Sequence, residues 1–302
     1  MAASFRSRRS VHRALAMVIL MFGALAATLS FAGPESAGFG RSPSRSGKKE
    51  RCEPSVRSFA AKAELLEAIH TFQEELNRTS NLSIDFGVKG GELDEKDRAP
   101  SNLAASGAFA RASVRLGQAA DEVLQKVERL KGGCPEPLKG FGTPQGAECP
   151  LHGSWRLRFT TAADATFTRN STRGTAKVSN VVDAVSGSVT NCIDFDHPDA
   201  AECLRVRLSA ETESKTRLGL AFRYVKVRLT KFFGFSLGQR RLTLTLPVPG
   251  PFLTRIITFF TRKTPPKPFF EIIYLDDDLR VHKTGQGNVF VQEKMSVPPP
   301  YL

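Results

Sequence analysis

Asp276, Asp277 and Asp278 form the only run of three consecutive carboxylates in this 302-residue chain. A buried member could act as a general acid or base, fix the polar end of a ligand, or pair with the nearby Arg280. Three acidic residues in a row are also an ordinary solvated turn between strands. A metal ion would need more oxygen ligands than one short turn supplies. His70, His152, His197 and His282 have no Ser or Cys at the spacing of a hydrolytic motif, and Cys149 with His152 is a proximity in sequence alone. The five cysteines, Cys52, Cys134, Cys149, Cys192 and Cys203, contain neither Cys-x-x-Cys nor a zinc spacing. Cys134 with Cys149, and Cys192 with Cys203, could each close a short loop, whereas reduced thiols suit an intracellular compartment. No catalytic residue, metal or cofactor is expected, so the elements that carry these residues must speak for function.

Those elements change character at about residue 150. Before it, Phe59, Ala63, Leu66, Ile69 and Leu76 recur at helical spacing between Pro54 and Asn81. A second helical stretch runs from about Ala105 to Lys131, its apolar face built from Phe109, Val114, Leu116, Ala120, Val123, Leu124, Val127 and Leu130, and Gly132-Gly133 is placed to end it. Residues 81–100 read as a loop, and 134–150 as a Pro- and Gly-rich connector. After that the period is two. Trp155, Leu157 and Phe159 alternate with Arg156 and Arg158, and similar runs cover 177–182, 189–195, 204–208, 225–229, 242–246, 272–274, 279–281 and 289–291. About eight strands with one apolar and one polar or basic face must hide the apolar face. Closure does so, removes the edges, and leaves an interior able to hold one small ligand. The predicted fold is α+β, mainly β: a helical element over 54–133, the connector, and an antiparallel barrel over 151–295.

The formal net charge is +13, and much of it lies ahead of the predicted fold: Met1 to Arg51 holds nine basic and two acidic residues. Arg6, Arg8, Arg9 and Arg13 precede an apolar run from Ala14 to Ala32, which has the form of a secretory signal and is nearly long enough for an uncleaved anchor. Residues 33–51 are rich in Ser, Gly and Arg, as transit peptides are. Residues 1–32 and 33–51 are thus expected to form a presequence, cleaved or disordered, ahead of a domain spanning 52–302. A plain secretory signal followed by a linker is the alternative. The remaining basic excess suits an anionic membrane surface, where each Lys or Arg adds roughly 1 kcal/mol. No nucleic-acid module accompanies it, and nucleic acid is not expected as a partner.

The Gly153-Ser154-Trp155 opening resembles the first strand of lipocalin-type barrels. Together with Tyr274-Leu275-Asp276-Asp277-Asp278-Leu279-Arg280 and the following Gly287 and apolar strand, it resembles the plastid lipid-associated proteins, or fibrillins. Lys62 to Ile69, Asn77-Arg78, Val178 to Val182 and Val189 to Phe195 carry the likeness over most of the chain. It departs from the family pattern in a longer loop between the helices and in Gln239 to Pro268. The resemblance implies a lipocalin-like fold and a plastid protein of thylakoids or plastoglobules that binds carotenoids, quinones, tocopherol or fatty acids. The signal-plus-transit start, with Phe31 after a cleavage site, resembles the two-part presequences of algal plastids. The implied cavity candidates are Trp155, Phe159, Ile193, Phe195, Leu208, Leu244, Tyr274 and Phe290, with Val289 and Val291 as the alternative inward pair. Each is also an ordinary core position. In such folds the Trp packs beneath an Arg, here Arg280, through a cation–π contact. Asp276, Asp278 and Arg280 are the candidate polar anchors. The aromatic and basic residues Phe232, Phe233, Phe259, Phe260, Arg262 and Lys263 are candidates for docking on lipid. The expected function is non-enzymatic binding, storage or organisation of plastid lipids and isoprenoids. An enzyme using the Asp cluster, a secreted carrier glycosylated at Asn77, Asn81 or Asn170, and an adaptor for an isoprenoid-pathway enzyme are the rivals.

Overall fold

The structure is a computed structural model that describes residues 56–79, 109, 113–131, 133–162, 175–196, 201–232, 235–238, 241–248, 268–285 and 287–301. The presequence segments, loop 81–100 and the docking candidates Phe233, Phe259, Phe260, Arg262 and Lys263 lie outside these residues. Two helices come first, α1 (Val56–Thr79) and α2 (Val114–Arg129). The strands are β1 (Gly153–Thr160), β2 (Ala176–Asp183), β3 (Ser188–Phe195), β4 (Ala201–Thr212), β5 (Arg217–Leu229), a short pair β6 (Lys231–Phe232) and β7 (Phe235–Ser236), β8 (Leu242–Pro247), β9 (Phe269–Leu275), β10 (Leu279–Thr284) and β11 (Val289–Met295).

Eight strands close into a ring in the order β4-β3-β2-β1-β11-β10-β9-β5 and back to β4, every pairing antiparallel. Strand β5 shares one edge between two partners. Residues 217–219 pair with β9 and complete the ring, while 224–229 pair with β8. The long β4–β5 hairpin therefore rises past the ring, with β8 along its flank.

Directly paired antiparallel residues share a face, so the register reads off the inside. Trp155 pairs with Asn180, Asn180 with Asn191, Asn191 with Val206, Val206 with Val225 and Val225 with Leu246. One end of the ring is plugged. The connector brings Leu138, Phe141, Cys149 and Leu151 into one cluster with Trp155, Val182, Val189, Leu218, Phe270, Ile272 and Leu275. Gly146 permits this: a Cβ there would stand 2.3 Å from the Ala184 carbonyl oxygen, in the turn between β2 and β3. Toward the other end a separate apolar cluster forms around Leu204, Val206, Leu208, Val225, Val227 and Leu229.

The helices cover part of the outside. Leu65, Ala68, Ile69 and Phe72 of α1, and Leu116, Ala120, Val123 and Val127 of α2, pack with Phe159, Tyr274, Leu279, Val281, Val289 and Val291. The buried face of α1 is rotated from the expected one, for Phe59 is 55% exposed and Phe72 takes the central place, edge-on to Phe109 and Phe159. Helix α2 stops at Arg129, before the predicted Gly pair. Gly133 serves close packing instead, because a Cβ would meet the Leu275 backbone at 3.0 Å. Across β3 to β5 the outer face carries the C-terminal tail. Buried Arg205 binds Asp194 and the Pro300 carbonyl, and Arg228 lies 3.7 Å over the Tyr301 ring.

Candidate functional site

Two β-bulges decide which candidates face inward. Between Leu157 and Phe159 the register of β1 against β11 shifts, so Leu157 pairs with Gln292 and Phe159 with Val291. A second shift, between β9 and β10, pairs Val281 with Tyr274 and His282 with Ile272. Each bulge adds one residue and turns the following side chains over. Phe159 and Tyr274, expected inside, therefore lie on the outer face beneath the helices. Trp155 is inside and fully buried in the plugged cluster. Leu208 is buried in the second apolar cluster, with Ile193, Phe195 and Leu244 packed against it. Phe290 pairs with His282 and stacks on its ring at 5.0 Å, which leaves Val289 and Val291 outside under the helices. The side chain of Phe232 lies outside the described residues.

Inside the ring the chemistry gathers on Arg280. Its guanidinium lies 5.4 Å over the Trp155 ring, the cation–π contact expected from sequence, and 5.7 Å over Phe270. Trp155 itself is fixed by donating its indole N–H to the Leu151 carbonyl at 3.0 Å. Arg280 Nε donates to Gln292 at 2.8 Å and Nη2 to Asn180 at 2.8 Å. Gln292 also donates to Asn180, whose own amide donates to Asn191 at 2.7 Å. A belt of amides thus reaches from β10 through β11 and β2 to β3. Burial pushes the Arg280 pKa down to about 9, so the group stays charged at neutral pH, and among the described residues no carboxylate offsets the penalty. Lys294, absent from the candidates, adds a second cation 4.4 Å from the Trp155 ring and donates to the His152 carbonyl. Burial, then the Arg280 charge, lowers its pKa. The sequence marks His282 only as a histidine with no Ser or Cys at a motif spacing. It is buried between Phe270 and Phe290, and burial together with Arg280 pushes its imidazole well below the ordinary value.

Asp276 points away from this interior. Its carboxylate accepts from Lys62 of α1 at 2.8 Å, from the Tyr274 hydroxyl at 2.8 Å, and from the Asp278 and Leu279 N–H groups at 2.8 and 2.6 Å. With its acceptor sites taken, it clasps the first helix to the β9–β10 turn. Asp278 is solvent-exposed and makes a longer contact with the same Lys62. Of the three polar anchor candidates only Arg280 faces the lumen. Asp276 and Asp278 thus hold Lys62 instead of facing the interior. Cys134, Cys149, Cys192 and Cys203 are free thiols, and burial pushes Cys192 up to about 12. Among the described residues no group of three or more His, Cys, Asp or Glu is placed to hold a metal, and no helix is long and apolar enough to cross a membrane.

A closed antiparallel barrel with a plugged base, and an inward Trp packed against an Arg from a late strand, is lipocalin-like in class. The PAP_fibrillin family model matches residues 108–293. That is more than half of the chain, which belongs to this family, the plastid lipid-associated proteins or fibrillins. Helix α1 lies ahead of the matched span, so the Lys62–Asp276 clasp joins a segment outside it to an acidic turn within it. No curated protein and no solved structure matches the chain.

The clasp has a pH signature. Burial alone would raise the Asp276 carboxyl, but Lys62, the two N–H groups and Tyr274 overcome this and hold it below its ordinary value of 3.8. Its contribution to stability is complete above 3.8 and is lost as pH falls from there through the lowered folded value. Asp276→Asn is expected to cost about 2 kcal/mol at neutral pH and to flatten the acid limb of stability. Urea unfolding at neutral pH and through the acid range checks both. A variant as stable and as acid-sensitive as the parent contradicts the clasp.

Proposed function

We propose that this protein is a non-enzymatic carrier or organiser of plastid lipids and isoprenoids at thylakoid or plastoglobule surfaces, holding an apolar ligand inside the barrel. The observation that carries the reading is the inward face above the amide belt. Ile193, Leu204, Val227 and Leu244 supply an apolar wall there, with a few convergent polar groups below it, as lipophilic sites require. Family membership supports plastoglobule association. The signal-like and transit-like segments 1–32 and 33–51 support delivery to a plastid by a two-part presequence.

Docking on lipid is assigned to Phe232, Phe233, Phe259, Phe260, Arg262 and Lys263, whose rings and cations suit an anionic interface. A protein partner in isoprenoid metabolism is compatible with this reading. Nucleic acid has no part in it.

Trp155 is the only tryptophan in the chain, so its emission reports the barrel alone. Titration with a short-chain plastoquinone analogue or a fatty acid is expected to change that emission saturably, at one ligand per chain. Emission unmoved by every ligand class, with no ligand retained on gel filtration, contradicts carriage in the barrel. Sedimentation with anionic vesicles checks the docking half. Protein left in the supernatant at low salt contradicts it.

A further inference from the structure

Three residues on one strand present unpaired polar atoms to the barrel interior. Arg280, His282 and Thr284 share the inward phase of β10, with Cα atoms at alternate positions about 7 Å apart. Arg280 Nη1, His282 Nδ1 and Thr284 Oγ1 are buried and have no hydrogen-bond partner among the described residues. Arg280 is 1% exposed and His282 5%. Buried polar groups are normally paired, and a buried charge is normally paired with an opposite one. Three exceptions in a row, one of them a cation, form a pattern that packing alone does not require. The same strand lies across the ring from β3, four strands away in either direction. The unpaired row therefore faces the ring interior beside the plugged end, and the apolar wall around Ile193 and Leu204 begins farther toward the other end.

We infer that the row on β10 is the head-group site for a single-chain lipid acid, its carboxylate received by Arg280 and His282 and its hydrocarbon chain laid along the apolar wall of β3 to β5. The inference rests on the barrel being a lipid site, and narrows the ligand from lipophiles in general to those with one anionic head. Charge selects it. A quinone carbonyl or an alcohol could accept or donate a hydrogen bond here but would leave the guanidinium uncompensated. A carboxylate relieves both deficits, through charge-assisted bonds roughly twice as strong as neutral ones. Arg280 already has Nε and Nη2 committed to Gln292 and Asn180, which fixes the guanidinium plane and leaves Nη1 as its open donor. The imidazole, neutral in its buried setting, can offer Nδ1–H beside it. Phe270 and Phe290, on either side of that imidazole, hold it in place. Lys294 adds to the positive potential, although its own ammonium is committed to the His152 carbonyl.

The test compares hexadecanoic acid with hexadecanol and a neutral plastoquinone analogue, each displacing a neutral polarity-sensitive dye from the full chain at neutral pH. The acid is expected to bind at least tenfold more tightly than the alcohol, at one per chain. Arg280→Gln should abolish that preference, bringing the acid down to the affinity of the alcohol. Because Arg280 also supports Trp155, that variant could unfold. His282→Phe keeps the ring stack and loses the nitrogen, and is expected to weaken the acid several-fold and the alcohol by much less. Acid and alcohol of equal affinity, or a preference unchanged in the folded variants, overturns the head-group site while the carrier reading stands. Failure of all three ligands to bind overturns both.

Discussion

Arg280 carries a charge inside a closed sheet, away from water and, among the described residues, without a carboxylate beside it, and the surrounding structure is organised around that burden. Desolvating a guanidinium costs several kcal/mol. The barrel offsets part of this with amide oxygens from Gln292 and Asn180 and with the faces of Trp155 and Phe270. Each of these groups is in turn held. Asn191 orients Asn180, the Leu151 carbonyl holds the indole, and the connector that carries Leu151 fills the base. A cation with only dipoles and rings for company is a poor choice for stability alone. Under the proposed function it is the fixed positive point that a ligand entering the barrel would meet.

The stability this consumes is supplied by the outer layer. At Phe159 and Tyr274 the two bulges turn large aromatic side chains outward, and there they become the landing surface for Phe72, Phe109 and the rest of the helical face. The same bulge in β9 lets Tyr274 reach Asp276, which then takes Lys62 from α1. Inside and outside are thus coupled along one short stretch. Tyr274 and Asp276 hold the helix, while Leu275 and Arg280 line the interior.

Much of this was legible in the sequence, because alternation of apolar and polar residues is a direct record of a two-faced strand. The eight closing strands, the two helices, the inward Trp155 and its partner Arg280 follow from that record and from the family resemblance. What alternation cannot carry is an inserted residue. One extra position after Leu157 and another in β9 reversed the faces of Phe159 and Tyr274, and neither is marked by Gly or Pro in those strands. The Asp cluster misled for a different reason, since three carboxylates in a row signal charge but not direction, and the cation that claims Asp276 lies 214 positions away in the chain. Helix α1 was placed correctly but rotated, because Phe59 suggested one face and Leu65, Ala68 and Phe72 another. The row at Arg280, His282 and Thr284 had a faint signal in its two-residue spacing on a strand. A polar face on β10 reads equally well as solvent-facing until closure shows that it looks inward.

The claim on which all of this depends is that the barrel interior is a place for a lipid, and native mass spectrometry of the protein purified from its own cells addresses it most directly. One lipid mass is expected on each chain, retained through gentle desolvation and released by organic extraction. A folded chain that flies at its bare mass, with an extract free of lipid, would show instead that the interior is closed and that the positive point inside it serves the fold alone.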